Sequence, residues 1–171
     1  DLQALGWNSA FSGQRTYNGV AIVSRDPATD VVAGIPGFDD EQRRVLAASL
    51  GSLRVIDVYV PNGQTVGSDK FAYKLRWFDA LREYVAAELT RHPHLVVLGD
   101  FNIAPEDRDV HDPKAWEGSV HVSPPERAAL QALLGTGLAD CFRLFEQPEK
   151  SYSWWDYRMM AFRRNAGLRI D

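Results

Sequence analysis

A chain of 171 residues, 45% hydrophobic and 25% charged, fits one globular domain with a core of its own. Its net charge of −4 argues against a protein that coats nucleic acid indiscriminately, and no apolar run approaches the roughly 20 residues of a membrane-spanning helix. The single cysteine, Cys141, excludes an internal disulfide framework and fits a reducing compartment.

The segment "YNGVAIVS" (17–24) is apolar and β-branched between polar turns and predicts a strand. "RRVLAASLG" and "LRVIDVYVP" follow, divided by little more than Gly51 and Ser52, which predicts an antiparallel hairpin. In its second arm Ile56, Val58 and Val60 share one face, and Val55, Asp57 and Tyr59 the other. From Ser68 to about Arg91 the period lengthens: Phe71, Leu75, Phe78, Leu81, Val85 and Leu89 mark an amphipathic helix with Ser68 as its N-cap. "HLVVLGDFN" then reads as a buried strand. The polar stretch "IAPEDRDVHDPKAWEGSVHV" after it is long for a compact domain, and such loops are functional or disordered. A second helix opens at "SPPE", with Ser123 as N-cap, Pro124 in the first turn and Glu126 closing a capping box; the glycines at 135 and 137 end it. Hairpins interleaved with helices predict an α/β architecture layered around a sheet.

Asp100 stands where the strand "VVLGD" ends, at the sheet edge where α/β proteins form ligand crevices. A carboxylate there suits a general base or a ligand for a hard cation such as Mg²⁺. Strand periodicity puts Asn102 on the same side, able to hold a water or donate to an anionic oxygen; a turn stabilised by Asp and Asn side chains accounts for the pair equally well. Tyr59 ends another strand and either reaches the same edge or simply packs, and Asn62 beyond it is a turn former. In "SYSWWDYR" (151–158) neighbouring rings on a strand face opposite ways, so one of Trp154 and Trp155 is presented outward. Arg158, Arg163, Arg164 and Arg169 follow with no acid among them, which suits either nucleic-acid contact or a solvated loop. His92, His94, His111 and His121 lack zinc-ligand spacing and read as surface or loop residues.

Taken together, "VYVPNG", "LGDFNIAPED", "SYSWWDYR" and "GLRID" resemble the exonuclease III family of apurinic/apyrimidinic endonucleases, within the endonuclease/exonuclease/phosphatase superfamily. The resemblance holds in order and spacing over essentially the whole chain. "GDFN" alone marks the superfamily, and the tryptophan strand followed by "GLRID" narrows it to the DNA-repair branch.

The resemblance implies a four-layered α/β sandwich, two packed mixed β-sheets flanked by helices. It implies Mg²⁺-dependent cleavage of the phosphodiester 5′ to abasic sites, with Mn²⁺ as a possible substitute, and 3′→5′ exonuclease and 3′-phosphodiesterase activity on duplex DNA. The partner would be double-stranded DNA with abasic sites or 3′ ends, met by a monomer in the cytoplasm at the nucleoid, with no membrane. Tyr59 matches the tyrosine that contacts the scissile phosphate, Asp100 the acid that activates or positions the attacking water, and Asn102 the asparagine that helps hold it. Asp100 and Asn102 are also the metal-site residues the resemblance offers. Asn62 matches a phosphate-contacting asparagine, and Asp171 the aspartate that orients a catalytic histidine. Trp154, Leu168 and Ile170 match the wall of a small apolar pocket that admits a bare deoxyribose and excludes a nucleotide still carrying its base.

The family pattern also includes a "QET"-type strand with the principal metal glutamate and a terminal "SDH" motif, and neither is in this sequence. Residues 1–171 are therefore expected to be one domain seen as an internal fragment, itself inactive and, with sheet edges left unpaired, poorly folded alone. The rival readings are a phosphatase or phosphodiesterase of the same superfamily and a non-catalytic DNA-binding remnant.

Overall fold

A computed structural model describes residues 2–171. It divides into two compact units, residues 2–60 with 83–100, and residues 61–82 with 101–171.

The first unit holds the strands β1 (Asn8–Gly13), β2 (Gly19–Ser24), β3 (Thr29–Ala33), β4 (Val45–Leu50) and β5 (Leu53–Tyr59), the end of helix α1 (Asp69–Arg91), and β6 (Leu95–Asp100). β1 and β2 form an antiparallel hairpin; β3, β4, β5 and β6 form a mixed sheet in that order, with β6 parallel to β5. The expected hairpin is β4–β5, turning at Gly51 and Ser52, and Val55 and Tyr59 do share a face. They pack with Val20, Ile22, Leu46, Ala48 and Val96, so β2 covers that side of the sheet. Asp57 on the same face accepts the Ala21 N–H at 3.0 Å. Across the sheet, Arg54 reaches Glu88 of α1 at 2.6 Å, both buried. The expectation of a buried strand at 95–100 needs correction. Among the described residues β6 pairs with β5 alone, and Leu98 is 44% exposed.

The second unit contains the start of α1, a short helix α2 (Pro113–Trp116), helix α3 (Pro124–Leu134) and a two-stranded ribbon, β7 (Trp154–Trp155) with β8 (Gly167–Leu168). Both predicted helix starts hold. Ser68 Oγ accepts the Phe71 N–H at 3.1 Å, and Glu126 closes a capping box on Ser123. The stretch 103–122 is not a structureless loop. It folds through a 3₁₀ turn at Asp107–Asp109 and α2, because it has partners for its backbone: Ala104 N–H donates to the His121 carbonyl at 2.8 Å, and Val110 bridges to Leu168. Ala104, Val110, Val122, Leu168 and Ile170 form its apolar core. The tryptophan and "GLRID" strands are far shorter than their sequence patterns suggested, two residues each. No helix among the described residues is long and apolar enough to cross a membrane.

Candidate active-site residues

Tyr59 and Asp100 are direct register partners on the parallel strands β5 and β6. Partners in a sheet project to the same face, so the phenol and the carboxylate leave their strands together at the carboxyl ends. The pairing continues one residue on, with Val60 N–H donating to the Asp100 carbonyl at 2.8 Å. Arg44 fixes the tyrosine: its guanidinium lies 4.6 Å above the ring, and Nη1 donates to the Tyr59 carbonyl at 2.9 Å. Gly99 permits this geometry. It has φ +124°, and a Cβ there would lie 2.1 Å from the Val58 carbonyl oxygen.

Asn102 departs from the simple strand-period expectation, because β6 stops at Asp100 and Asn102 takes a left-handed backbone with φ 51°. Asparagine tolerates that region better than most residues. Asn102 is buried and meets Asn62 in the second unit, where Asn62 Nδ2 donates to Asn102 Oδ1 at 3.4 Å. Asn62 Oδ1 accepts the Gln64 N–H at 3.1 Å, so the asparagine does form the expected turn while its amide stays oriented.

His121 completes this cluster; it is a loop residue, one of the two readings its position offered, and it is not at the surface. It is buried, with Nδ1 2.7 Å from the Asn102 carbonyl and Nε2 3.4 Å from Asn62 Nδ2. Burial pushes its pKa below the usual histidine value; the Asn102 carbonyl opposes that shift and the Lys74 ammonium adds to it. In the neutral ring, Nδ1 must carry the proton because a carbonyl can only accept, which leaves Nε2 to accept from Asn62. Beneath the cluster, Lys74 Nζ donates to the carbonyls of Asn62 at 3.2 Å and Asn102 at 2.7 Å, and to Glu126 Oε1 at 2.5 Å.

Trp154 pairs with Leu168 across the β7–β8 ribbon and is 37% exposed, whereas Leu168 and Ile170 sit in the apolar core at 0% and 4%. Trp155 is held from behind, its Nε1–H on Asn165 Oδ1 at 3.1 Å and its ring edge-on to Phe162. Asp171 is exposed, its N–H donating to Ser153 Oγ at 3.2 Å.

The arginine run splits. Arg163 and Arg164 are exposed, and Arg158 is exposed beside Asp156. Arg169 is buried on Asp109 at 2.7 Å and Asp140 at 2.7 Å. Its own N–H donates to the Asp109 carbonyl at 2.9 Å, which sets the guanidinium against the carboxylate of the same residue.

Lys74, Glu126 as an ion-pair partner, His121 and Asp109 were missed by reading the sequence. Lys74 left a signal: it lies three residues after Phe71 and four before Phe78, within the helix's apolar stripe.

Asp100 is an oxygen donor of the kind Mg²⁺ takes, an ion commonly bound through one or two carboxylates plus water and phosphate. Among the described residues no three of His, Cys, Asp or Glu gather as a metal cluster, so the donor set fits in kind and supplies one carboxylate. Asn102 Oδ1 already faces the Asn62 amide donor.

The chain matches the profile of the Endonuclease/Exonuclease/phosphatase family over residues 1–171. It is 34% identical over 167 residues to an exodeoxyribonuclease of Bacillus subtilis, covering 96% of this chain and 65% of that protein. A solved Neisseria structure, the 3′ phosphatase NExo bound to product DNA hairpin, superposes with TM-score 0.97 at 51% identity over 99% of this chain and 66% of that one. An AP endonuclease from Archaeoglobus fulgidus gives TM-score 0.93 at 34% identity, over 99% and 66%. The chain belongs to the endonuclease/exonuclease/phosphatase family. Within it the similarity lies with the exonuclease III and AP endonuclease branch, and the α/β expectation holds. The chain spans just under two thirds of the length of the Bacillus relative.

Proposed function

We propose that the protein bearing this chain is a divalent-metal-dependent nuclease acting on duplex DNA, with residues 1–171 as part of one catalytic domain. It would hydrolyse the phosphodiester 5′ to an abasic site and process 3′ ends as exonuclease and phosphodiesterase, working in the cytoplasm as a monomer. The observation that carries this reading is the pairing of Tyr59 with Asp100 at the ends of adjacent parallel strands, inside a chain similar throughout to repair nucleases. Asp100 accepts a proton from the attacking water and contributes a ligand to the metal, which when bound stabilises charge developing on the phosphate. The Tyr59 hydroxyl donates to a phosphate oxygen, Asn62 is a phosphate contact, and Asn102 orients the water. Trp154 presents its exposed ring to the DNA, with Leu168 and Ile170 behind the sugar pocket, and Asp171 orients a histidine supplied from elsewhere.

A second reading, a 3′-end phosphatase and exonuclease with little abasic-site nicking, draws support from the 51% identity to a protein described as a 3′ phosphatase. One experiment separates the two. The complete natural protein is incubated, with and without Mg²⁺, with a duplex carrying an abasic analogue and with a nicked duplex ending in a 3′-phosphate. Nicking 5′ of the lesion is expected, with Asp100→Asn slower by about 100-fold or more. Removal of the 3′-phosphate alone establishes the second reading, and hydrolysis of small phosphomonoesters with neither DNA rejects both.

A further inference from the structure

Lys74 and Glu126 pair at 2.5 Å with no exposed side-chain surface. Desolvating two charges is costly, and apolar residues of similar volume often stabilise a core as well or better. The other contacts of the pair therefore carry the explanation. Lys74 Nζ binds the backbone carbonyls of both Asn62 and Asn102, which lie on separate loops, one following β5 and one following β6. Glu126 Oε1 also accepts the His121 backbone N–H at 3.0 Å, and Oε2 accepts the Ser123 N–H at 3.2 Å. The imidazole held in this way bonds the Asn102 carbonyl and the Asn62 amide. Asn102 and His121 both keep positive φ, 51° and 78°, conformations that persist only where the surroundings over-determine them.

We propose that Lys74 and Glu126 are positioning residues: their buried ion pair clamps the backbones of the two asparagine loops and, through His121 and the Asn62 Nδ2–Asn102 Oδ1 bond, holds the amides of Asn62 and Asn102 in one orientation. The inference rests on the proposed roles of those two asparagines. It extends the functional machinery to residues that touch no substrate.

The double variant Lys74→Met/Glu126→Met, made in the complete natural protein, removes both charges and leaves no lone buried ion. Assayed on the abasic duplex well below its Tm, it should lose about 100-fold in kcat, the scale of an ångström's misplacement, while KM stays close to wild type. A purely structural role would lower Tm and leave the kcat of the folded fraction unchanged. The side-chain amide ¹⁵N–¹H resonances of Asn62 and Asn102 supply a readout independent of cleavage. They should be distinct and shifted in the wild type, and should collapse toward solvent-averaged positions in the variant. A folded double variant with wild-type kcat and unmoved amide resonances overturns the proposal. If the wild type cleaves none of the DNA substrates, the amide resonances still decide the positioning, and the functional reading fails separately. If the double variant does not fold, Glu126→Gln replaces it: an about tenfold fall in kcat with shifted amides supports the clamp, and neither change refutes it.

Discussion

Gly99 is the residue on which the register of Tyr59 and Asp100 depends, and Gly99→Ala tests that dependence directly. The backbone at φ +124° lies where L side chains rarely go, and holding alanine there costs about 1–3 kcal/mol. The added methyl has no room either: it would stand 2.1 Å from the Val58 carbonyl oxygen, 3.0 Å from its carbon and 2.9 Å from Asp57 Oδ1. The first two are backbone atoms of the strand that β6 pairs with, so the clash is relieved only by parting the ladder, and overpacking of this kind costs about 1–3 kcal/mol more. The two contributions together come to about 2–6 kcal/mol, against a typical total stability of about 5–15 kcal/mol. Followed by far-ultraviolet circular dichroism on the complete natural protein, the Tm should fall by at least about 4 °C. Cleavage measured below the new Tm should fall as well, because Asp100 follows its neighbour. A Tm within about 2 °C of the wild type would mean that the ladder yields without cost and that the close approach at Gly99 does not constrain the register.

Burial holds the Asp57 carboxyl above its usual value of 3.8, against the opposing N–H donors of Ala21 and Val58. A carboxyl raised in the folded state contributes stability at pH below its unfolded pKa and loses it as pH rises through the folded value. In urea unfolding the advantage of wild type over Asp57→Asn should therefore shrink from acid toward neutral pH, and an advantage that grows with pH would contradict the shift. Asp109→Asn removes the charge that the buried Arg169 and its neighbour Arg143 share, and should lower unfolding stability by about 3–5 kcal/mol. A loss below about 1 kcal/mol, the scale of a surface pair, would show that the network is not sealed from water.

Much of the frame was legible in the sequence because periodicity reports burial directly. The alternation in "LRVIDVYVP", the three-and-four spacing from Phe71 to Leu89, and the "SPPE" capping box each specify a local conformation that packing then keeps. The pairing of Tyr59 with Asp100 follows from strand ends and needed only the choice of neighbour. What could not be read is long-range. "HLVVLGDFN" has the composition of a buried strand, yet composition does not say which edge of a sheet a strand occupies. His121, read as a surface or loop residue, and Arg169, read as part of a nucleic-acid-contacting or solvated cluster, are both buried against partners, Asn102 and Asp109, that are distant in the chain. The stretch 103–122 lacks apolar period, which left it readable as either a functional or a disordered loop; backbone bonds to "GLRID" order it.

Two of the buried cations, Lys74 and Arg54, follow a pattern that hydrophobic periodicity does not contain. Lys74 donates to the carbonyl of Asn102, a left-handed residue beyond the end of β6. Arg54, paired with Glu88, donates through Nη1 to the carbonyl of Asp30 at 2.7 Å, and Asp30 is left-handed too, with φ 47°, at the register shift in β3. In each case a buried cation meets a carbonyl where the regular ladder has given out. A carbonyl turned away from its strand neighbour still requires a donor when buried, and leaving it without one forfeits the desolvation cost of the group, about 1–3 kcal/mol. A long cationic side chain can supply that donor from a distant element, and its buried carboxylate partner keeps the charge affordable. Apolar residues of the same volume would fill the space and leave the irregular backbone free to relax, since dispersion has no direction. Of the two irregular segments, the one anchored by Lys74 carries Asn102, a candidate functional side chain, and the one anchored by Arg54 carries none of the candidate site residues. Loss of the Lys74 pair should therefore lower kcat measured below the Tm, whereas loss of the Arg54 pair should lower the Tm and leave the kcat of the folded protein unchanged.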